Sequence, residues 1–240
     1  VMELGGKSAG IVYADADLEQ AASSSAIGIF SHAGQVCSAQ SRLVVHRSVH
    51  DEVVDRLAEK AKALTIGPGI DGCDLGPLIS APQRDKVEGF ALAGAQAGAT
   101  AVTGGRRVDD LPGHFMQPTV FTGVTPDMTI AQEEIFGPVV AVIPFDDDEE
   151  AIQIANGTDF GLVAGIYTKD LDRAHQTADR LSAGQVFVNE WFAGGVETPF
   201  GGTKRSGFGR EKGQEALLNY VQTKNVAIKL GSGAGGRPGG

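Results

Sequence analysis

The strongest candidate for a reactive side chain is Cys37, in the segment Gly34-Gln35-Val36-Cys37-Ser38. This segment follows a helical pattern and is small, polar and glycine-containing, which is typical of a turn. Such a turn can expose the sulfur and direct backbone N–H groups towards it, and these donors lower the pKa of a thiol and can stabilise an oxyanion. Cys37 is therefore a candidate nucleophile. The alternative, a buried cysteine that packs as a small hydrophobic residue, stays open from the local sequence.

A carboxylate lies beside two glycines near the start of the chain, in Met2-Glu3-Leu4-Gly5-Gly6-Lys7. Glycine lets other groups approach the backbone closely, so Glu3 can be placed within reach of a reacting group and act as a general base. The alternative interpretation is a strand end that leads into a turn.

A second acidic motif, Gln132-Glu133-Glu134-Ile135-Phe136-Gly137-Pro138, precedes an apolar run. Adjacent side chains on an extended backbone point in different directions, so one carboxylate can face a cleft while the other faces solvent. A carboxylate can bind a ribose diol through paired hydrogen bonds, and Phe136 can pack on a ring. The alternative is a helix stop before a buried strand.

The fourth candidate is a glycine-rich loop, Thr198-Pro199-Phe200-Gly201-Gly202, followed by basic residues. Its glycine density predicts an irregular loop that lines a pocket together with the aromatic side chains of Trp191, Phe192 and Phe200. Neither a Walker spacing nor a Gly-x-Gly-x-x-Gly pattern between a strand and a helix is present, so we do not predict a phosphate site. The basic residues are predicted to lie on a solvated face: Lys204, Arg205, Arg210 and Lys212.

The second cysteine and the histidines are weaker candidates for functional residues. Cys73 lies between Asp71 and Asp74, whose charges raise the pKa of a thiol, and we interpret it as an ordinary loop cysteine. The histidines have no metal-ligand spacing, so no metal site is predicted. His32, five residues before Cys37, is expected to cap or pack rather than to form a Cys–His pair.

Composition limits the class of protein. The chain has 240 residues, 42% hydrophobic and 21% charged, values typical of a folded soluble protein. Its formal net charge of -10 argues against a nucleic-acid partner and against an anionic membrane surface.

There is no apolar run of about 18 residues to predict a transmembrane helix. Two cysteines exclude a disulfide scaffold and suit a reducing compartment, so a cytoplasmic location is predicted. The first residues resemble no signal peptide and lack an initiator Met, which predicts a segment cut from a longer polypeptide.

Short β-branched runs alternate with longer helical patterns along the chain. Val139 to Phe145 is an almost continuous apolar run, typical of a strand buried on both faces. Asp15 or Asp17 is expected to cap the first helix, and Ser48, with Asp51 in capping-box position, the second. The alternation predicts an α/β fold with a mostly parallel twisted sheet and flanking helices. Strands are predicted at 10–13, 41–46, 100–103, 119–122, 139–145, 162–168, 185–189 and 225–230, and helices at 17–32, 48–64, 147–156, 171–181 and 212–221, with one more helix starting at residue 80.

Taken together and in this order, the four motifs resemble those of the aldehyde dehydrogenase superfamily. The resemblance extends over residues 1–230 and corresponds to roughly the C-terminal half of a full-length member. It implies an aldehyde dehydrogenase catalytic domain at 1–223 and an oligomerisation strand at 224–230. The last ten residues, 231–240, contain six glycines and no large apolar side chain, which predicts a disordered Gly-rich tail. The resemblance rests on Glu3-Leu4-Gly5-Gly6-Lys7, Gly34-Gln35-Val36-Cys37, Glu133 to Pro138, Pro199 to Gly202 and Ser206 to Glu211.

The resemblance also implies a mechanism. Cys37 would attack the aldehyde carbon to give a thiohemiacetal, with its oxyanion held partly by the Cys37 backbone N–H. Loss of hydride to the nicotinamide of NAD or NADP, with NAD favoured, would leave a thioester. Water activated by Glu3 would hydrolyse the thioester to a carboxylic acid.

The resemblance assigns binding roles as well. Glu134 would bind the nicotinamide ribose, Phe136 would pack near the nicotinamide, and the backbone of Leu4 and Gly5 would approach the ring. The partners implied are a small-molecule aldehyde and further copies of the full-length protein, in a homodimer or homotetramer. An aromatic tunnel suits an apolar aldehyde and also a cationic one through cation–π contact. The tunnel would be lined by Phe200, Phe192 and Trp191, with Val36 and Ser38 flanking the sulfur.

Several alternatives stay open. The oxyanion-hole asparagine and the Rossmann segment of the family lie upstream of Val1, so the isolated chain is predicted to bind cofactor poorly and to be inactive. One alternative is a cofactor-independent cysteine esterase or thioesterase that uses Cys37 and Glu3. An acylating dehydrogenase that passes the acyl group to coenzyme A is disfavoured by Glu3, because water activation suits hydrolysis. From another class, the chain would be a non-catalytic structural or interaction relative.

Overall fold

The computed structural model describes residues 1–231, and the predicted tail beyond Gly231 lies outside them. A seven-stranded sheet forms the centre, in the order β4-β5-β6-β3-β2-β8-β9. All neighbouring pairs are parallel except β4 with β5, which is antiparallel. The mostly parallel α/β sheet predicted from the alternation is therefore confirmed. The strands of this sheet are β2 (Ala9–Val12), β3 (Arg42–His46), β4 (Thr100–Thr103), β5 (Thr119–Thr122), β6 (Val139–Phe145), β8 (Val163–Tyr167) and β9 (Gln185–Val188).

Within residues 1–231, six α-helices connect these strands. The first begins as predicted, because the Asp17 carboxylate accepts a hydrogen bond from the backbone N–H of Gln20 at 3.0 Å. The third begins after Ser80, whose hydroxyl accepts from Gln83 N–H at 3.3 Å. The helices are α1 (Leu18–Phe30), α2 (His50–Ala63), α3 (Ala81–Gln96), α4 (Thr129–Gln132), α5 (Asp148–Asn156) and α6 (Leu171–Arg180), with 3₁₀ turns at Ser31–Gly34, Arg47–Val49, Gly69–Asp71 and Gln214–Tyr220.

Two short antiparallel ribbons lie beside the main sheet. β1 (Met2–Glu3) pairs with β11 (Gly207–Phe208), and Glu3 stands opposite Gly207. β7 (Phe160–Gly161) pairs with β10 (Thr203–Lys204). The sequence patterns predicted none of these strands, since two residues carry no detectable periodicity. The first ribbon ties the Gly-rich segment after Phe200 to the Glu3 motif at the start of the chain, and the second ties it to β7.

Three of the four motifs lie just before neighbouring parallel strands. Gly5-Gly6 precedes β2, Cys37 precedes β3, and Phe136 precedes β6. In the sheet these strands stand in the order β6-β3-β2 and run in the same direction. The amino ends of parallel neighbours lie at one edge of a sheet, so motifs about 100 residues apart in sequence meet there.

A buried arginine joins the sheet to a helix end. The side chain of Arg42, at the start of β3, donates hydrogen bonds to the backbone carbonyl of Lys7 at 2.9 Å and to those of Ile154 and Ala155 at 2.7 Å each. The last two belong to the C-terminal turn of α5, and Ile154 also accepts the Gly157 N–H at 3.2 Å. Burial lowers the pKa of Arg42 to about 10.

Two local predictions were wrong, and a third is not tested. Ser48 does not cap α2, because the helix begins at His50 after Val49 and the Ser48 hydroxyl hydrogen-bonds the His46 ring at 2.8 Å. The predicted helix at 212–221 is an exposed 3₁₀ turn at Gln214–Tyr220. Residues 225–230 form no strand within the chain and are exposed. A strand that forms only by pairing with a second subunit stays a prediction.

None of the helices in residues 1–231 has the length and apolar composition needed to cross a bilayer. Within the same range, no group of three or more His, Cys, Asp or Glu side chains is arranged to hold a metal ion.

Candidate active site

Cys37 lies in a loop between the 3₁₀ turn Ser31–Gly34 and β3. The turn is left-handed, with φ values of 52° at His32, 56° at Ala33 and 70° at Gly34. A Cβ atom at Gly34 would collide with the carbonyl oxygen of Gly137. Glycine is needed here both for its conformation and for the close approach, which presses the cysteine loop against the Phe136 segment.

The loop is also anchored on its other side. The Trp191 indole N–H donates to the Ser38 carbonyl at 3.1 Å, and Gln40 N–H donates to the Gly28 carbonyl at 2.9 Å. Trp191 is only 7% exposed and packs with Phe187 in a small cluster under Cys37. The prediction that Trp191 lines the pocket was therefore wrong, because its ring supports the loop from behind.

The Glu134 motif and the Gly5-Gly6 turn meet at Cys37. The Glu134 carboxylate accepts a hydrogen bond from Gly6 N–H at 3.0 Å, and its second oxygen lies against the Cα of Gly5. Gly6 in turn lies against the Cys37 carbonyl. Glu134 is half-buried while Glu133 is exposed, as the extended-backbone argument predicted. Any side chain at Gly5 or Gly6 would separate the groups brought together here.

Glu3 stands on β1 with its charge close to Cys37. Partial burial and the Glu211 carboxylate raise the pKa of Glu3, while Lys212 lowers it. A raised pKa makes Glu3 a stronger base than an ordinary carboxylate. Glu211 entered the sequence analysis only as part of a motif, and neither its role nor that of Lys212 was foreseen.

The sulfur of Cys37 is not held ionised as the sequence suggested. Burial raises the pKa of the thiol, and the charges of Glu3 and Glu134 raise it further. The Ser38 backbone N–H lowers it, as expected for a donor in this turn, but burial outweighs that effect. The thiol therefore needs a base or a positively charged partner to lose its proton.

A cavity of about 390 Å³ opens beside Cys37. Four of the five predicted pocket residues line it: Val36, Ser38, Phe192 and Phe200. Cys37 lies between two of them and is half-buried. We call this space the Phe200 cavity. Sequence analysis missed seven further lining residues: Ser31, His32, Gln185, Phe187, Ala193, Gly194 and Lys212.

Phe136 lies on the other side of the cysteine loop. Its backbone is left-handed, with φ of 59°, and the Gln83 side-chain amide donates to the carbonyls of Ile135 at 3.1 Å and Phe136 at 2.8 Å. Phe136 lines an open cavity of about 700 Å³ that also borders Val36 and Gln35. The Gln83 clamp was missed, since only its place in a helix start was visible in the sequence.

The remaining candidates are placed as follows. Leu4 is exposed, and its N–H donates to the Ser206 carbonyl at 3.1 Å. Cys73 lies in the loop against Gly67. Lys7, which the sequence did not single out, is fully buried, and burial together with Arg42 lowers its pKa to about 7, opposed by Glu134 and Glu133.

The fold and the convergent motifs define a parallel α/β domain with a half-buried cysteine between two carboxylates. The model of the aldehyde dehydrogenase family matches residues 1–226. This chain belongs to the aldehyde dehydrogenase family.

Known relatives and solved structures resemble the chain closely. Betaine aldehyde dehydrogenase 1 of Rhizobium meliloti is 49% identical over 233 residues, which are 96% of this chain and 48% of the relative. The mitochondrial aldehyde dehydrogenase of Leishmania tarentolae is 47% identical over 226 residues, 94% of this chain and 45% of the relative. An NAD+ complex of aldehyde dehydrogenase from Bacillus cereus superposes with a TM-score of 0.92 at 46% identity, covering 95% of this chain and 46% of that one. The chain spans about half the length of the curated relatives it matches.

Proposed function

We propose that the whole protein oxidises an aldehyde to a carboxylic acid with NAD(P)+, NAD favoured, through a covalent intermediate on Cys37. The observation that carries this proposal is the meeting of Cys37, Glu134 and the Gly5-Gly6 turn at one sheet edge, with the charge of Glu3 close by. The relatives that are named as aldehyde dehydrogenases, and the Bacillus cereus structure with NAD+, support the same activity.

Cys37 acts first. Its sulfur attacks the aldehyde carbon, the thiol proton passes to a base, and the resulting oxyanion is stabilised by the Cys37 backbone N–H. Because burial and two carboxylates raise the pKa of the thiol, deprotonation is part of the attack rather than a pre-existing state. Glu3 is the base that accepts the thiol proton, since its carboxylate is close enough for its charge to raise the pKa of Cys37.

The residues before β6 fit the nicotinamide end of a dinucleotide. Glu134 offers a half-buried carboxylate beside Gly5, where any side chain would collide with it, and Phe136 offers an aromatic ring. A dinucleotide bound there would supply the hydride acceptor needed to oxidise the thiohemiacetal on Cys37 to a thioester. Glu134 would hold the ribose, with its carboxylate kept in position by the Gly6 N–H.

Glu3 completes the reaction. After releasing the thiol proton to solvent, it takes a proton from water, which attacks the thioester carbonyl. The C–S bond then breaks, the proton held by Glu3 passes to the Cys37 sulfur, and the carboxylic acid departs. Its raised pKa suits a group that must accept a proton and then release it again.

The proposed assembly is a homodimer or homotetramer joined through residues 224–230. These residues are exposed, carry apolar side chains such as Val226 and Ile228, and pair with no strand within the described chain. An exposed extended segment is able to add to the sheet edge of another subunit.

The test is an aldehyde panel on the whole protein with NAD+ and NADP+, with Cys37→Ala and the matched control Cys73→Ala. We expect NAD(P)H production that Cys37→Ala abolishes and Cys73→Ala leaves within about twofold. Hydrolysis of esters that does not respond to cofactor, without any aldehyde oxidation, would instead establish the cysteine esterase. Unchanged properties in Cys37→Ala would establish a non-catalytic relative.

A further inference from the structure

We propose that Lys212 makes the Phe200 cavity select aldehydes whose far end is negatively charged over those whose far end is positively charged. This inference rests on the proposed aldehyde oxidation and specifies its substrate class, an aldehyde bearing a carboxylate or sulfonate group.

The backbone holds Lys212 at the cavity. Phe200 and Glu211 form an isolated antiparallel bridge, with N–H to carbonyl distances of 2.7 Å in both directions. On the other side, Gly213 N–H donates to the Val196 carbonyl at 2.8 Å. Lys212 lies between these two anchors with a left-handed φ of 57°. Its backbone is therefore fixed relative to Phe200 even though its side chain reaches solvent.

The side chain of Lys212 turns towards the aromatic wall. Its ammonium Nζ lies 5.5 Å from the centre of the Phe200 ring, within the range of a cation–π contact. Lys212 also lines the cavity itself. A cationic aldehyde that approached the Phe200 ring would therefore meet a like charge nearby.

The charges around the cavity favour an anion at this position. Among the described residues that line it, Lys212 is the one with a permanent charge, and no Asp or Glu is among them. Glu3 and Glu211 act electrostatically on one another and lie close to Lys212, but neither lines the cavity. Glu190 lines a neighbouring cavity, and the Glu197 carboxylate lies against Gly195. A ligand group that reaches the Phe200 ring therefore meets the ammonium first.

The proposed preference for anionic aldehydes differs from the substrate that the names of several relatives suggest. Several relatives are named betaine aldehyde dehydrogenases, and betaine aldehyde carries a trimethylammonium group. An ammonium held at the Phe200 ring repels such a group and attracts an anionic one of the same size.

The test uses three aldehydes with similar tetrahedral ends but different charge: sulfoacetaldehyde, the neutral 3,3-dimethylbutanal and betaine aldehyde. The whole protein is assayed at one pH, and the measured quantity is the ratio of kcat/KM for sulfoacetaldehyde to that for betaine aldehyde. We expect this ratio to exceed one and to fall about tenfold in Lys212→Gln, since an exposed charge contributes a few-fold to each substrate with opposite sign. The change should appear mainly in KM.

Control variants separate the charge effect of Lys212 from the proposed aldehyde oxidation itself. Lys212→Arg should retain the ratio, and Lys62→Gln, which removes an exposed charge from α2, should leave it unchanged. Lys212 also influences the pKa of Glu3, but that effect applies to every aldehyde and cancels in the ratio. Oxidation of the neutral aldehyde with a ratio that Lys212→Gln does not alter would overturn this inference alone. If the whole protein oxidised none of the three aldehydes, both this inference and the proposed function would be overturned.

A second readout needs no turnover. Methanethiosulfonates with a sulfonatoethyl or a trimethylammonioethyl group form a mixed disulfide with the Cys37 thiolate and release methanesulfinate. Mass spectrometry of the Cys37 peptide gives the rate for each reagent. We expect Lys212→Gln to lower the ratio of the anionic to the cationic rate about tenfold. Equal ratios in both proteins would contradict a charge effect at the cavity.

Discussion

At the scale of single residues, the reactivity of this site depends on a small set of charges. Burial raises the pKa of the Cys37 thiol, and the charges of Glu3 and Glu134 raise it further. Glu3 is itself shifted by Glu211 and Lys212 in opposite directions. Each of these charged groups therefore shifts the pKa of another. A substitution at one of them should change the pH dependence of the reaction and not only its rate.

Substituting Glu211 should move the pH profile of the reaction. The pKa of Glu3 is raised, so Glu3 is protonated, and lost as a base, at a higher pH than an ordinary glutamate. Glu211→Gln removes one cause of that shift, and the acid limb of kcat/KM for the whole protein should move to lower pH. Lys212→Gln should move it to higher pH. Glu215→Gln, an exposed carboxylate on the 3₁₀ turn, serves as the control. An acid limb that stays in place in both variants would show that Glu3 is not the titrating base.

At the scale of elements, the site is built from strand beginnings and tight turns. The Glu3, Cys37 and Phe136 motifs lead into β2, β3 and β6, which are neighbours in the sheet. The close contact between Gly34 and the Gly137 carbonyl joins two of these motifs directly. The position of the sulfur relative to the Glu134 segment therefore depends on a residue that carries no functional group.

We expect Gly34→Ala to displace the cysteine loop. A Cβ at this left-handed position collides with the Gly137 carbonyl, with a cost of about 2 kcal/mol in the free energy of unfolding. The displaced sulfur should lower kcat/KM about a hundredfold. Calorimetry and steady-state kinetics on the whole protein measure the two effects.

Gly69→Ala is the matched control, because Gly69 is exposed and a Cβ there meets nothing within 4 Å. It should change the free energy of unfolding by less than about 0.5 kcal/mol and leave the kinetics unaltered. Equal behaviour of the two variants would mean that the contact between Gly34 and Gly137 does not position Cys37.

At the scale of the whole molecule, the described segment from Leu217 to Leu230 carries apolar side chains that pack against none of the described core. Seven large hydrophobic side chains of this segment are exposed, although the sheet they follow is well buried. An exposed apolar surface of this kind marks an interaction site in a folded protein. These side chains are Leu217, Leu218, Tyr220, Val221, Val226, Ile228 and Leu230.

Disrupting that segment should change the assembly of the whole protein. Val226 and Ile228 are 67% and 76% exposed, and Val226→Asp with Ile228→Asp would place two charges in the proposed intersubunit sheet. Sedimentation velocity should then show a shift from dimer or tetramer to smaller species, because unpaired charges are not tolerated in such an interface. Ile70→Asp, at a loop residue that is 96% exposed, should leave the assembly as it was. The same sedimentation profile in both variants would place the interface elsewhere.

Much of the fold could be predicted from local patterns, and the exceptions have physical reasons. The apolar run of β6 and the cap at Asp17 were visible because burial and capping leave a signature within a few residues. Ser48 carried the same capping signature, but its hydroxyl bonds His46 instead. At 212–221 the helical pattern has no surface to pack against in the described chain, and an isolated amphipathic segment of ten residues is a marginal helix.

The amino-acid sequence by itself determined the α/β fold, the candidate nucleophile and the two carboxylates that stand beside it, because these follow from residue type, periodicity and the order of motifs. Only the tertiary structure decided that Trp191 supports the loop instead of lining the pocket, that burial raises the pKa of the Cys37 thiol, and that Lys212 reaches the ring of Phe200. Burial and electrostatic interaction depend on distances between residues far apart in the chain, and those distances exist only after the sheet has brought the strand ends together.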